Sequence, residues 1–163
     1  MDKREILYGK ILSKSELKRK LAFWRYKDQR IVMVYGTFET LKPGIVDMVM
    51  QAANQGDVLL VALRSDRLVQ KQKGEGCPQF NQFNRAYVLA SLLQVSGIFV
   101  VEEDELGGLI EQVHPGFTAF CKHATDEEKK MFRSVVDWGG EFAEFDSDKI
   151  LTEPVSIEGE KAD

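Results

Sequence analysis

Five short runs rich in apolar residues recur along the chain after residue 30, separated by longer segments that mix polar and apolar residues. The runs are Ile31–Tyr35, Val58–Leu63, Ile98–Val101, Phe117–Cys121 and Glu141–Phe145. Short runs of β-branched and aromatic residues are typical of strands, and near-continuous apolar runs are typical of buried parallel strands. The pattern therefore predicts five strands in one mostly parallel sheet.

The segments between the runs carry apolar residues at helical spacing. Ile45, Met48, Val49 and Ala52 recur on one face, for example, and Gly56 follows as a natural stop. Predicted helices cover Gly44–Asn54, Asp66–Lys71, Gln82–Leu93, Leu106–Val113 and Asp126–Trp138. This sustained alternation predicts an α/β fold, a Rossmann-like open five-stranded parallel sheet with helices on both faces.

An amphipathic helix is predicted before the first strand. Ser13 and Glu16 have the spacing of a capping box, and Leu17, Leu21 and Trp24 then recur on one face. This N-terminal helical arm has to lay its apolar stripe on another surface. That surface belongs either to the chain's own sheet or to a second copy, so a homodimer through the arm is one expected assembly.

These elements divide the chain into three parts. Residues 1–29 form the helical arm, residues 30–152 form the α/β domain, and residues 153–163 are acidic and poor in large apolar groups, so a flexible tail is expected there. Open parallel sheets bind ligands at the carboxyl ends of their strands, near the point where strand order reverses. The turn after the first strand is therefore where a site is expected.

The net charge of −4 hides an uneven distribution over the 163 residues. Residues 1–30 carry ten basic and four acidic side chains, a net of +6, and the remaining residues carry a net of −10. A basic arm occurs in proteins that contact nucleic acid or membranes, but an acidic body repels phosphate backbones. We therefore expect no nucleic-acid partner, and the arm's charge is better explained by a solvated helix.

The short apolar runs argue against a membrane or secreted protein, and the cysteine content argues against a disulfide-rich or zinc-thiolate protein. The longest fully apolar run, Val58–Leu63, is far short of the ~20 residues of a membrane helix, and the N-terminus lacks the apolar stretch of a secretory signal. Cys77 and Cys121 do not form a Cys-x-x-Cys pair, which argues against a disulfide framework or a thiolate zinc site. We expect no membrane partner and a cytoplasmic location.

The segment after the first strand reads Tyr35-Gly36-Thr37-Phe38-Glu39-Thr40-Leu41-Lys42-Pro43-Gly44-Ile45. Gly36 lets a ligand approach the backbone closely. Gly44 opens a helix whose free amide groups are suited to binding a phosphate. Small residues are common at this point of any α/β protein, so the segment alone indicates a phosphate site only weakly.

From the first strand onward the chain resembles the cytidylyltransferase-like nucleotidyltransferases, and it is most similar to the sugar-phosphate adenylyltransferase domain of bifunctional ADP-heptose synthases. That family has Gly-x-Phe-Asp-x-x-His-x-Gly-His after the first strand. Later elements are a Lys-Gly loop, a helix arginine and a lysine after the fourth strand. The arm is also similar to the leader before the first strand in those domains, so the resemblance covers roughly residues 13–145. It implies a nucleotide or phosphate site built by Gly36, Thr37, Phe38, Gly44, Lys73, Arg85 and Lys122.

The chemistry of the motif is altered in this sequence. Its two histidine positions hold Lys42 and Ile45, and its aspartate position holds Glu39. In the family those histidines steady the phosphates while a sugar phosphate attacks the α-phosphorus and pyrophosphate leaves. The resemblance therefore leaves Lys42 as the candidate catalytic residue. Losing one well-placed donor typically costs ~10²–10³ in rate, so little turnover is expected when two are lost.

Each basic candidate also has a simpler interpretation. Lys42 is either a phosphate ligand or an exposed turn lysine. Lys73, Arg85 and Lys122 either converge on one cleft, which is our expectation, or face solvent as most Lys and Arg side chains do. His123 enters the expected nucleotide cleft, but an incidental surface histidine is the better interpretation, because two isolated histidines lack any metal-ligand spacing.

Two functions are compatible with these residues. The first is a degenerate nucleotidyltransferase-like protein, a pseudoenzyme that binds a nucleotide (ATP or CTP) or a sugar phosphate with little or no turnover. The alternative is an active adenylyl- or cytidylyltransferase that joins a nucleoside triphosphate to a sugar or polyol phosphate, with Lys42 and Lys122 replacing the histidines. Mg²⁺ is expected only for the active enzyme, and no metal-ligand set is expected in the chain.

Overall fold

All five predicted strands are present and form one parallel sheet. The computed structural model describes residues 2–152, so the predicted tail at residues 153–163 lies outside the described residues. The strands are β1 (Ile31–Gly36), β2 (Val58–Arg64), β3 (Val95–Val101), β4 (Phe117–Cys121) and β5 (Glu141–Phe145). Their spatial order is β3-β2-β1-β4-β5, and each neighbouring pair is parallel. The predicted Rossmann-like α/β fold is confirmed.

The helices follow the predicted order with shifted ends. They are α1 (Lys3–Tyr8), α2 (Lys14–Tyr26), α3 (Pro43–Ala53), α4 (Asp66–Lys73), α5 (Gln82–Ala90), α6 (Leu106–Val113) and α7 (Asp126–Arg133), and a 3₁₀ segment continues α7 over Ser134–Trp138. Helix α1 was not predicted. The end of α5 was predicted at Leu93 but lies at Ala90, where the Lys10 ammonium donates to the carbonyls of Ala90 and Leu92. The chain therefore turns earlier, and β3 begins at Val95 instead of Ile98.

Both faces of the sheet are covered, as β1 illustrates. Ile31, Met33 and Tyr35 lie in a core cluster shared with α2, α6 and α7, whereas Val32 and Val34 lie in a cluster shared with α3 and α5. Successive side chains of a strand point to opposite faces. The near-continuous apolar run of β1 is therefore buried on both sides, with helices on each face as predicted.

The N-terminal arm belongs to the same core. Leu17, Leu21 and Trp24 are buried in the cluster that covers one face of β1. The segment before α2 also bridges to the sheet edge, since the Leu12 amide donates to the Ile98 carbonyl at 2.8 Å. The apolar stripe thus packs on the chain's own sheet. It is not free to join a second copy, which removes the surface on which a homodimer was expected.

Strand order creates a crevice at the centre of the sheet. Strands β1, β2 and β3 lie side by side in one direction across the sheet. The chain then crosses back, and β4 lies on the other side of β1. Helix α3, after β1, covers one face, and helix α7, after β4, covers the other. Because the two connections diverge, the carboxyl ends of β1 and β4 flank an opening.

Candidate functional site

A cavity of ≈ 590 Å³ lies at this opening. Its size falls within the ~300–1,000 Å³ typical of small-molecule and cofactor sites. Five of the eight predicted site residues line it, namely Gly36, Thr37, Phe38, Lys42 and Lys73. The other three, Gly44, Arg85 and Lys122, do not belong to the lining.

The loop after β1 is shaped by its own aromatic residue. Phe38 has a left-handed backbone conformation (φ 51°), and its buried side chain joins the core. Its ring folds over Gly36, where an added Cβ would lie 3.2 Å from a ring carbon. Gly36 is therefore required by the packing of Phe38 as well as by its position beside the cavity.

Arg85 supports this loop from within the protein. Its side chain is 0% exposed and donates to the Thr37 carbonyl at 2.7 Å, to the Phe80 carbonyl at 3.0 Å and to the Asp66 carboxylate at 2.8 Å. These protein acceptors engage all three guanidinium nitrogens. The expected convergence of Arg85 on the cleft is therefore not found, because the side chain is committed to holding the loops after β1 and β2 together.

A buried network forms one wall of the cavity. The Arg64 guanidinium donates to Glu128 at 2.7 Å, to the Tyr35 hydroxyl at 3.0 Å and to the Thr37 hydroxyl at 3.1 Å. The Tyr35 hydroxyl donates to Glu128 at 2.6 Å, and the Gln72 side-chain amide donates to the same carboxylate at 3.3 Å. The network links β1, β2, α4 and α7 beside the opening.

Protonation states in this network follow from burial and charge. Burial raises the pKa of Tyr35, so its phenol stays protonated and keeps donating to Glu128. Burial also disfavours the Glu128 carboxylate, but the Arg64 charge, followed by the hydrogen bonds, outweighs this effect and lowers the pKa of Glu128. The wall therefore holds a fixed guanidinium–carboxylate pair at neutral pH.

Sequence reasoning did not identify Tyr35 or Glu128 as part of the site. One local signal was available, because Thr125 and Glu128 form a capping box at the start of α7. The capping-box spacing explains only the contact of the Glu128 carboxylate with the Thr125 backbone amide. Its reach to Arg64 depends on β2 and α7 meeting in the fold.

A second charged cluster lies at the start of α3. The Lys42 ammonium lies 3.2 Å from one oxygen of Asp148, and His123 Nε2 lies 2.9 Å from the other. The Lys122 ammonium lies 2.8 Å from Asp146 and 3.9 Å from Asp148. Lys42, the candidate catalytic residue, is therefore at the cavity but paired with a carboxylate from the segment after β5.

These contacts keep both carboxylates ionised. The hydrogen bond from His123, followed by that from Lys42, lowers the pKa of Asp148. The hydrogen bond from Lys122 lowers the pKa of Asp146 and in turn raises the pKa of the lysine. Lys122 thus contacts the same pair of carboxylates as Lys42 and His123, but it does not line the cavity on which it was expected to converge with Lys73 and Arg85.

Gly44 is covered by the same segment. A Cβ at this position would lie 2.8 Å from the carbonyl oxygens of Asp146 and Ser147 and 3.0 Å from that of Lys149. Contacts this short with backbone require the segment to move. Glycine is therefore needed here for the close approach of another chain segment, which is a different reason from the phosphate contact expected at this helix start.

Three observations on the described residues concern metal binding, membrane spanning and the cysteine thiols. Within residues 2–152 no group of three or more His, Cys, Asp or Glu side chains is arranged to hold a metal ion. None of the helices in that range combines the length and apolar character needed to span a bilayer. Cys77 and Cys121 are free thiols, and burial raises the pKa of Cys121.

Solved structures with the same fold are known. The lipopolysaccharide core biosynthesis protein from Thermoplasma volcanium matches with a TM-score of 0.61 at 18% identity, over 72% of this chain and 96% of that one. The pantoate-β-alanine ligase from Francisella tularensis matches with a TM-score of 0.53 at 13% identity, over 82% of this chain and 65% of that one. At these identities the likeness shows the fold alone.

Sequence relatives define the family. The bifunctional protein HldE of Methylobacillus flagellatus is 32% identical over 137 residues, 84% of this chain and 28% of that protein. HldE of Koribacter versatilis is 36% identical over 110 residues, 68% of this chain and 23% of that protein, so the chain spans about a quarter of these relatives. The cytidylyltransferase-like family profile matches residues 33–150. The chain therefore belongs to the cytidylyltransferase-like family and is related to the HldE proteins, as the resemblance of its motifs indicated.

Proposed function

We propose that the cavity binds a nucleotide or a phosphorylated metabolite and that the chain catalyses little or no nucleotidyl transfer. The observation that carries this proposal is the pair Lys42 and Ile45. Both line the cavity, and both stand where the family motif has its histidines. One offers a cation to a phosphate, whereas the other has no hydrogen-bond donor on its side chain.

Positive charge around the cavity supports the binding part of the proposal. Lys42, Arg64 and Lys73 line it, in a body whose net charge outside the arm is −10. The contacts of Arg64 to Tyr35, Thr37 and Glu128 use three of the five donors of a guanidinium. Arg64 also lines the cavity, so its two remaining donors are the ones that we propose for an anionic ligand.

The low-turnover part rests on missing donors. Nucleotidyl transfer depends on groups aimed at the negative charge that develops on the transferring phosphoryl group. The Lys42 ammonium is a flexible point charge already paired with Asp148 at 3.2 Å, and Ile45 donates nothing. We expect each missing donor to lower the rate by ~10²–10³.

Calorimetric titration with ATP, CTP and sugar phosphates tests binding. The unmodified chain is expected to bind at least one of them, and Lys42→Ala should weaken binding about tenfold, since a hydrogen bond from a charged group is lost. Lys18→Ala is the matched control, because Lys18 is exposed on α2 and does not line the cavity. Failure of every ligand to bind at millimolar concentration would contradict the proposal.

Pyrophosphate release tests turnover. With ATP or CTP, Mg²⁺ and a sugar phosphate, the unmodified chain should release pyrophosphate slowly or not at all. Restoring both histidines with Lys42→His and Ile45→His should raise the rate, while Lys18→His should not. Rapid release by the unmodified chain would overturn the low-turnover proposal.

An active nucleotidyltransferase is the second candidate. It is favoured by the three cationic or titratable side chains near the start of α3, since Lys42, Lys122 and His123 all contact the carboxylates of Asp146 or Asp148. In this alternative Lys42 and Lys122 replace the histidines electrostatically. It requires a measurable pyrophosphate-forming activity that Lys42→Ala abolishes.

Magnesium is expected only if the chain is an active nucleotidyltransferase. This ion is usually held by one or two carboxylates together with substrate phosphates. Glu39 and Asp148 both line the cavity, but Glu39 accepts from the Gln79 amide and Asp148 from Lys42 and His123. Both carboxylates are thus engaged by protein donors, so we expect either one to hold the ion only together with substrate phosphates.

Two further expectations remain predictions: a cytoplasmic location and the lack of a nucleic-acid partner. Titration of a labelled oligonucleotide at low and high salt measures the last, since phosphate-backbone binding weakens steeply with salt.

A further inference from the structure

We propose that Asp148 is an internal occupant of an anion subsite formed by Lys42 and His123, and that it must leave before a phosphate group binds there. The segment Asp146, Ser147, Asp148 and Lys149 is called the acidic strap below. This inference rests on the proposed function, because it concerns regulation of the same cavity. It identifies the subsite as one for a phosphate group and identifies the strap as its competitor.

The Asp148 carboxylate is surrounded by donors in the way that a bound anion would be. Its two carboxylate oxygens are divided between Lys42 Nζ at 3.2 Å and His123 Nε2 at 2.9 Å. Lys122 Nζ approaches the same carboxylate at 3.9 Å. All three groups can donate to negatively charged oxygen, and the oxygens of a phosphate offer them the same kind of acceptor. Lys42, His123 and Asp148 all line the cavity.

The strap is fixed by contacts on both sides of Asp148. The Asp148 amide donates to the Asp146 carboxylate at 2.9 Å, and the Lys149 amide donates to the Asp146 carbonyl at 3.2 Å. The Lys149 ammonium reaches Asp47 on α3 at 3.4 Å. Close packing of the strap carbonyls on Gly44 holds it over the start of that helix. The strap is therefore a folded turn that presents its carboxylate to the subsite.

These contacts are weak enough to be displaced. The side chains of Lys42, His123 and Asp148 are 55%, 62% and 50% exposed. Ion pairs this exposed contribute little to stability. A polyphosphate carries more charge and more acceptor oxygens than one carboxylate, so it competes effectively for the same donors. Bound polyphosphate and the Asp148 carboxylate repel each other, which couples binding to movement of the Asp148 side chain.

The simpler interpretation is that these are ordinary surface ion pairs that tie the end of the sheet to α3. The two interpretations differ in one measurable respect. A competitor lowers the affinity of the subsite for anions, so its removal strengthens binding. A purely structural tie affects anions only through its charge, so Asp148→Asn would then strengthen binding no more than Asp146→Asn, which removes the neighbouring strap charge outside the cavity lining.

Titration with inorganic tripolyphosphate, without nucleobase or metal, tests the inference. Asp148→Asn is expected to bind tripolyphosphate about tenfold more tightly than the unmodified chain, because one repulsive competing charge is lost. Asp137→Asn is the matched control, since it makes the same charge change at an exposed residue outside the cavity lining. Adding His123→Ala to Asp148→Asn should reverse the gain.

The histidine signals give an independent readout. The chain has two histidines, His114 and His123, and His114 stacks on Trp138 at a centroid distance of 4.3 Å. In NMR spectra, tripolyphosphate should shift the ring resonances of His123 and leave those of His114 in place. His114→Gln assigns the two signals.

The outcomes separate the inference from the proposed function. Equal tripolyphosphate affinity of Asp148→Asn and the unmodified chain overturns the strap as a competitor, even if nucleotides bind. So does failure of Asp148→Asn to bind tripolyphosphate at all. Tighter tripolyphosphate binding by Asp148→Asn than by Asp146→Asn supports the inference, and failure of nucleotides and sugar phosphates to bind in the same experiments would then count against the proposed function alone.

Discussion

Arg64 and Glu128 form an ion pair at 2.7 Å between nearly buried side chains, which are 12% and 9% exposed. Arg64 ends β2, and Glu128 lies in the first turn of α7, so the pair joins elements on both sides of β1. The Tyr35 hydroxyl at the end of β1 contacts both partners. This pair therefore ties β2 to α7 in the wall of the cavity.

Glu128→Gln is expected to lower the free energy of unfolding by about 3 kcal/mol, because it leaves the Arg64 charge buried without its partner. Urea unfolding monitored by tryptophan fluorescence at pH 7 measures the loss. Glu127→Gln is the control, since Glu127 is the exposed neighbour in the same turn. Equal stability of the two variants would show that the buried pair contributes nothing.

The same pair predicts a pH dependence of stability. The pKa of Glu128 is lowered in the folded chain from its ordinary 4.5. A carboxyl with a lowered folded-state pKa adds stability above its unfolded pKa, and that stability is lost as pH falls through the folded-state pKa. The stability difference between the unmodified chain and Glu128→Gln should therefore be largest above pH 4.5 and shrink in acid. A difference that grows on acidification would contradict this assignment.

Arg85 is expected to act through stability. Arg85→Lys should lower the free energy of unfolding by about 3 kcal/mol, because a lysine cannot reproduce the planar set of donors in a buried position. Arg67→Lys, at an exposed residue of α4, should change it by less than about 0.5 kcal/mol. If Arg85→Lys kept full stability and lost only nucleotide binding, Arg85 would be a direct ligand as its motif position first indicated.

The fold was predictable because each element carries its own signal. The β-branched run of β1 and the apolar spacing of α3 need no distant partner to be recognised. Element ends were harder to predict because distant residues set some of them. Lys10, 80 residues away in sequence, donates to the carbonyl of Ala90 where α5 ends.

The place of the site was predictable, but the partners of its side chains were not. Strand topology alone predicts a site at the turn after β1. Four predicted residues at the end of β1 and in this turn, and a fifth in α4, line the cavity. The pairing of Lys42 with Asp148 spans 106 residues and depends on how the chain leaves β5. Arg85 was misplaced because a buried arginine with protein acceptors cannot be distinguished in sequence from an exposed one.

The arm should contribute to stability within one chain. Trp24→Ala is expected to lower the free energy of unfolding by about 3–5 kcal/mol, because it opens a cavity in the core beneath α2. Phe23→Ala is the matched control at a 55% exposed neighbour and should cost less than about 0.5 kcal/mol. A small effect of Trp24→Ala would show that the arm is not docked on its own sheet.

Gly44→Ala tests the close approach of the acidic strap to α3. Alanine is intrinsically better than glycine inside a helix, so propensity alone predicts a gain. We instead expect a loss of about 1–3 kcal/mol, because the new methyl group would lie 2.8 Å from two strap carbonyl oxygens and the strap would have to shift. Gly108→Ala in α6 is the matched control, since a Cβ there meets nothing within 4 Å, and it should stabilise by roughly 0.5 kcal/mol. The packed strap is supported if the urea midpoint of Gly44→Ala lies below that of the unmodified chain and the midpoint of Gly108→Ala lies above it. A gain at both positions would show that the strap does not press on Gly44 and that this packing does not fix the strap over the start of α3.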